Sequence, residues 1–350
     1  MALRAVLWTL GGDGASQIAR LAANLLLTRL LFPEAFGLMA IVNVAMQGLQ
    51  MFSDVGVRPS IIQNKRGDDP AFLNTAWTLQ VIRGVMLWIA ACILALPLAR
   101  FYGLPMLFWL LPVVGFNAFL AGLTSTKLIT CDRNLTLGQA TGINLGTFLM
   151  GAAVMIVWAR ISPTVWALVS GGVVSNLSRV ALTHWILPGS NNRFQWDRSS
   201  WKELSSYGRW IFVSTLATFL ASQADRLIFA KLIPLAMLGV YNIGIMLTKV
   251  PADTILKVVS AVGLPTFSRA LQRDGTIDSI FRRTSLGLLA AGGAGLGLMI
   301  LAGPAVIRIL YDNRYQEAGW MVQIVAVGVW FQVLEGINTA ALLTLGEPKW

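Results

Sequence analysis

Between Phe101 and Thr126, and again between Asn134 and Ala159, the chain runs without one charged side chain. Further charge-free runs cover Phe36 to Ser53, Ser285 to Ile307 and Trp320 to Leu334. A helix needs about 20 mostly apolar residues to cross a hydrocarbon core about 30 Å thick. Inside a bilayer the backbone must satisfy its own hydrogen bonds, which leaves helices and closed barrels as the spanning structures. Barrel strands alternate with period two over segments of about 10 residues, whereas these runs are continuously apolar. With 56% hydrophobic and only 12% charged residues, a water-soluble fold around one ordinary core is excluded, and the sequence predicts an all-α polytopic membrane protein.

Ten spans follow, at 7–31, 36–53, 71–98, 106–126, 136–158, 164–186, 209–230, 236–260, 284–303 and 318–344. The N-terminus has no compact apolar stretch followed by a cleavage site and reads as a retained first helix. The longest polar connection, PGSNNRFQWDRSSWKELSSY, divides the spans six to four. The expected organisation is an N-terminal lobe at 1–187, a cytoplasmic linker at 188–208 and a C-terminal lobe at 209–350. Lys and Arg outside the spans fall fifteen to five on alternate sides. Since cationic residues collect on the cytoplasmic side, the N-terminus is expected to be cytoplasmic.

The two lobes carry a weak repeat. TRLLFPEAFGLMAI (28–41) aligns without gaps on AKLIPLAMLGVYNI (230–243), placing Arg29 against Lys231 and Gly37 against Gly239. Spans one to four then pair with seven to ten as a parallel repeat, an arrangement common in transporters. The second lobe stops after its fourth span, so two further helices are expected of a complete lobe and the chain reads as truncated. Two glycine ridges, Gly138, Gly142 and Gly146 in span five and Gly293 with Gly297 in span nine, are expected at close helix contacts.

The chain has a formal net charge of +11. Its basic residues are dispersed rather than gathered in a patch, which argues against nucleic acid. Seven lie inside spans: Arg20, Arg29, Arg83, Arg179, Arg226, Lys249 and Lys257. A charge at the bilayer centre costs at least about 2.5 kcal/mol, so such groups face a protein interior or a water-filled cavity. Arg29, at a span end, can snorkel. Several share helix faces with other polar groups: Asp13, Gln17, Arg20 and Asn24; Asn43, Gln47, Gln50 and Asp54; Asn176, Arg179 and Thr183; Lys249, Asp253 and Lys257. Four in-span acids, Asp13, Asp225, Asp253 and Glu335, can neutralise some of these cations or hold a coupling H⁺ or Na⁺. The excess leaves a cationic interior suited to phosphate or diphosphate. Arg20, Arg83, Arg179, Arg226, Lys249 and Lys257 are the substrate-binding candidates. The two cysteines, Cys92 and Cys131, and the single histidine, His184, offer no metal site, and no cofactor is expected.

The segments LLTRLLFPEAFGLMAIV, MFSDVGVRPSIIQNK, SQADRLIFAKL, LGVYNIG and GLPTFSRALQRDG resemble, in order and spacing, the polysaccharide transporter branch (Wzx-type oligosaccharide flippases) of the multidrug/oligosaccharidyl-lipid/polysaccharide (MOP, MATE-like) superfamily. The resemblance implies two six-helix lobes and alternating-access export, without enzymatic activity, of undecaprenyl-diphosphate-linked glycan units for O-antigen, capsule or exopolysaccharide. The implied location is the bacterial inner membrane, among membrane lipids and polysaccharide polymerase machinery. Lipid II flippases and multidrug exporters of the same superfamily are alternatives, although cationic drugs favour an acidic cavity. A membrane glycan polymerase would need a larger outer loop than this chain has, and an inactive structural remnant is the remaining alternative.

Overall fold

The computed structural model describes residues 2–54, 56–134, 136–206, 211–259, 267 and 278–344. Each of the ten expected spans contains a long helix among the described residues. These helices are α1 (Ala2–Leu30), α2 (Pro33–Phe52), α4 (Pro70–Tyr102), α5 (Met106–Gly122), α7 (Leu137–Ile161), α8 (Trp166–Trp185), α10 (Ile211–Leu232), α11 (Leu235–Val258), α12 (Asp278–Leu310) and α13 (Ala318–Thr344). Among the described residues three short α-helices lie in connections, α3 (Val57–Gln63), α6 (Lys127–Arg133) and α9 (Arg198–Ser206), together with a 3₁₀ turn at Asn313–Tyr315. No strand occurs among the described residues.

Six helical stretches are by themselves long and apolar enough to cross a bilayer, or seven if α5 and α6, bent by 60°, form one broken span. The others are α1, α8 and α10, which carry Arg20, Arg179 and Arg226 respectively. Apolar side chains on the strongest candidates face outward, as lipid-facing positions must; Ile93 on α4 is 67% exposed and Leu301 on α12 is 85% exposed. The chain is a multi-pass helical membrane protein.

Local chemistry sets the helix ends. Pro70 opens α4 at a position where its missing N–H costs nothing, and the Asp69 carboxylate accepts the Ala71 N–H at 3.0 Å. Gly103, at φ 68°, closes that helix in the left-handed region that side chains avoid. The break between α1 and α2 spans Leu31 and Phe32, and that between α10 and α11 spans Ile233 and Pro234. The two breaks fall at equivalent places in the aligned 28–41 and 230–243 segments.

The chain divides into compact units Met1–Leu238 and Gly239–Trp350. In the first, α4 packs along α5, α7 along α8, α1 on α7, α5 on α8 and α10 on α2. Small residues permit this. A Cβ on Gly122 would lie 2.6 Å from the Gln80 carbonyl oxygen, and one on Gly84 would lie 2.9 Å from that of Ala118, so α4 and α5 touch backbone to backbone. Gly151 is likewise 2.6 Å from the Gly171 oxygen by the same measure, joining α7 to α8. The expected ridges are therefore corrected in part: nothing lies within 4 Å of a Cβ on Gly142, Gly146 or Gly297, whereas one on Gly293 would lie 3.2 Å from the Trp330 ring of α13. Spacing alone identified a small-residue stripe but not the side of the helix that meets a neighbour.

At one end of this unit three connections interlock. Arg58 of α3 pairs with Asp132 of α6 at 2.7 Å, and Arg133 bonds Asp68 at 3.1 Å. The Arg133 guanidinium also donates to the carbonyls of Ile61, Ile62 and Asn64, which caps α3. The 188–206 segment lies against the same surface, and its Leu204 is fully buried with Ile61, Phe72 and Leu73. In the second unit α12 packs on α13 around Leu296, Ala326, Val329 and Val333, with Ala252 and Val259.

Candidate functional site

The first unit contains a cavity of about 730 Å³ lined by α2, α4, α5 and α8. Asn43, Gln47 and Gln50 of α2 form one wall, kept on one helix face by their i, i+4, i+7 spacing, with Asp54 just beyond the end of the helix. Arg83 of α4, Asn117 of α5 and Asn176 of α8 face it, among Met39, Met46 and Met51. Asn176 Nδ2 donates to Asn117 Oδ1 at 3.2 Å and to the Gly172 carbonyl at 3.0 Å, fixing both amides. Five carboxamides and one Arg and Asp pair thus make the polar lining. Each carboxamide both donates and accepts hydrogen bonds, and the lining as a whole is close to neutral.

Arg83 stands at the end of α2. Its Nε donates to Ser53 Oγ at 3.0 Å, and one Nη donates to the Gln50 carbonyl at 2.7 Å. The other Nη lies 3.8 Å from Asp54 Oδ1. A cation at a helix C-terminus complements the helix dipole and the last free carbonyls. Arg83 is therefore partly committed to capping α2 while it also lines the cavity. Beside it a smaller cavity of about 230 Å³ is lined by Gln50, Gln80 and Arg83. Gln80 Oε1 is buried there without a hydrogen-bond partner.

Arg226 reaches the large cavity indirectly. One of its Nη atoms donates to Gln223 Oε1 at 2.5 Å, and Gln223 Nε2 donates to Gln47 Oε1 at 2.9 Å. Gln223 is 1% exposed, so this chain of contacts ties α10 to the cavity wall. Arg20 lies over the Phe148 ring at 5.6 Å and within electrostatic reach of Arg179. Among the described residues neither arginine has a carboxylate partner, and Arg179 Nε is buried without a hydrogen bond. These two cations are outside the cavity lining.

The other candidates are elsewhere. Lys249 is half-buried, and Lys257 and Asp253 are exposed, all on α11 in the second unit; Glu335 is exposed on α13. Asp225 is half-buried on α10. The Asp13 side chain lies outside the described residues. Sequence reasoning passed over Asn117, Gln80 and Gln223. The usable signal was a lone carboxamide within an otherwise apolar helix, which needs a polar partner or a cavity just as a charge does.

Residues 26–320 match the family described as polysaccharide biosynthesis protein. The succinoglycan biosynthesis transport protein ExoT of Rhizobium meliloti is 21% identical over 91% of this chain and 66% of its own length. The amylovoran biosynthesis protein AmsL of Erwinia amylovora is 23% identical over 76% and 69%. The teichuronic acid biosynthesis protein TuaB of Bacillus subtilis is 20% identical over 85% and 62%. The chain spans about two-thirds of the length of these relatives. A solved inward-facing multidrug resistance MATE family transporter of the MOP superfamily superposes with a TM-score of 0.71 at 15% identity, covering 95% of this chain and 82% of that one. A helical bundle with a polar cavity, a fold shared with that solved structure and a family match over most of its length agree: this chain belongs to the polysaccharide biosynthesis protein family.

Proposed function

We propose that the chain serves in a transporter that carries polyprenyl-diphosphate-linked oligosaccharide units across the bacterial inner membrane by alternating access. The carrying observation is the amide-lined cavity. A glycan offers many neutral hydroxyls, each both donor and acceptor, and Asn43, Gln47, Gln50, Asn117 and Asn176 offer the complementary groups at a volume within the usual range for ligand sites. An exporter of cationic compounds would gain from a net acidic lining; here the single carboxylate, Asp54, faces Arg83. Arg20 and Arg179 supply, outside the cavity, a pair of cations suited to a diphosphate. Family membership and the names of the relatives support the same substrate class.

The test is movement of a fluorescent polyprenyl-diphosphate oligosaccharide across proteoliposomes containing the protein. Each carboxamide contact is worth about 1 kcal/mol, so Asn43→Leu and Asn176→Leu should each slow transport roughly fivefold. Arg20→Gln with Arg179→Gln should weaken use of the diphosphate-linked substrate but leave binding of the free oligosaccharide unchanged. Full transport by both carboxamide variants would refute the cavity as the glycan site.

A further inference from the structure

The 185–201 segment is more than a connection between lobes. Its inward groups are committed to the bundle. Asn192 accepts from Ser125 Oγ at 2.6 Å and donates to Thr126 Oγ1 at 2.7 Å, while Asn191 accepts from the buried Lys127 ammonium at 2.9 Å. Gln195 exchanges backbone bonds with Thr78 Oγ1, and the Asp197 N–H donates to Thr75 Oγ1. Large side chains are left outside: Trp185 is 84% exposed, Trp196 49% and Trp201 38%, and Phe194 is 70% exposed although one part of its ring packs on Trp77 of α4 at 4.8 Å. Trp196 and Trp201 pack on each other at 5.0 Å. Arg193 and Arg198 stand exposed among them.

Large aromatics and cations exposed together suit the headgroup layer of a bilayer, where rings meet acyl chains and charges stay hydrated. The position fits. The segment leaves the last residue of α8 and lies on the first turns of α4, both at the end of spanning helices. Charge selects the lipid. The neighbouring acids whose side chains are described are already held: Asp69 by Arg66, Asp132 by Arg58, Asp68 by Arg133, and Asp197 by Ser199 and Ser200. Lys65, Arg193 and Arg198 have no carboxylate partner among the described residues.

We propose that this strap is an interfacial anchor that binds anionic phospholipid headgroups, with Phe194, Trp196 and Trp201 seated at the acyl boundary and Arg193 and Arg198 on the phosphates. The experiment is hydrogen exchange of residues 193–201 in the full chain. It is embedded in nanodiscs of phosphatidylcholine alone, of phosphatidylcholine with phosphatidylglycerol at 7:3, and of phosphatidylcholine with added inorganic phosphate. Exchange should slow only with phosphatidylglycerol. A lipid-proximal arginine contributes roughly fivefold to binding, so Arg193→Gln with Arg198→Gln should remove most of that protection, as should high salt. Both arginines are exposed, and unchanged exchange at residues 75–78 checks that the bundle is intact. Equal protection in both lipid compositions would overturn the proposal. So would protection by inorganic phosphate alone, which would mark a small-anion site, and so would protection that survives the double substitution.

Discussion

Replacing Gln223 by Leu tests whether α10 is fastened to the cavity wall by side-chain amides rather than by apolar contact alone. Gln223 is fully buried and makes two hydrogen bonds of different worth. Its oxygen accepts from the Arg226 guanidinium, a charge-assisted contact worth about 1.5–3 kcal/mol; its nitrogen donates to Gln47, a neutral contact worth about 1 kcal/mol. Leucine keeps most of the volume, so the packing of Phe219 against Phe52 and Gly48 is retained. The expected loss is therefore about 3 kcal/mol, read as unfolding free energy by reversible titration with a denaturing detergent. Gln47→Leu should cost about 1–3 kcal/mol, because it leaves the buried Gln223 Nε2 donor without its acceptor. The double variant should cost about 1 kcal/mol less than the two single losses combined, since both remove the same bond. Gln223→Glu should retain the Arg226 contact and turn the Gln47 amide round to donate. A stability of Gln223→Leu equal to the parent, or strictly additive losses in the cycle, would refute the relay.

Arg133→Ala removes three charge-assisted bonds to the carbonyls that end α3 and should cost about 2–3 kcal/mol; its pair with the largely exposed Asp68 adds little. The same detergent titration should show that Arg133→Lys recovers less than half of that, because a point charge cannot reproduce the planar fork. On the paired helices α7 and α8, Gly171→Val would drive a methyl into Met155 and the Gly151 carbonyl and should cost about 2 kcal/mol. Gly146→Ala, with open space around it, should be neutral or stabilising by up to about 1 kcal/mol. Acid should loosen the strap. Hydrogen bonds from Ser199 and Ser200 hold the Asp197 carboxyl well below its usual range, and Arg66 with the Ala71 N–H lowers Asp69. A depressed folded-state pKa contributes stability above the unfolded value, near pH 4, and that contribution fades as pH falls further. Protection of the Ser200 amide, corrected for intrinsic exchange rate, should drop below about pH 4 in the parent and be low and pH-independent in Asp197→Asn.

The helices were legible because the property that makes them, continuous apolarity, is local. The features that organise their ends were not. The expected fourth span, 106–126, ends as a helix at Gly122 and turns by 60° into α6. Leu123 to Thr126 contain no proline or glycine to announce that turn. It is held from elsewhere in the chain: the Asn192 carboxamide takes the Ser125 hydroxyl and the Thr126 N–H, and Thr183 takes the Ser125 N–H. The same contacts explain why residues 188–206 read as a polar separator. Asn, Ser and Asp are turn formers in any sequence, and only the fold shows that theirs are bonds to α4 and α6 rather than to water.

The site was half legible for a related reason. Counting in-span acids against bases treats a carboxylate as the sole way to settle a buried cation, and seven against four then leaves a cationic interior. Arg83 is met instead by a helix-end carbonyl and a serine, and Arg226 by a glutamine. Carbonyl and carboxamide oxygens stabilise a guanidinium without cancelling its charge on paper, so the count overstates how much positive field reaches an occupant. What faces the cavity is set by the amides between these cations, and Asn117 shows how one such residue disappears inside a run chosen for being uncharged. Arg20 and Arg179, which no described carboxylate or amide engages, keep their field. The division of labour that results, among the described residues, places neutral hydrogen-bonding groups within the cavity and two arginines without a carboxylate partner outside it. Under the transport role proposed above, that arrangement would suit an amphiphile with a neutral polar head and an anionic linkage better than either a uniformly cationic or a uniformly acidic cavity would.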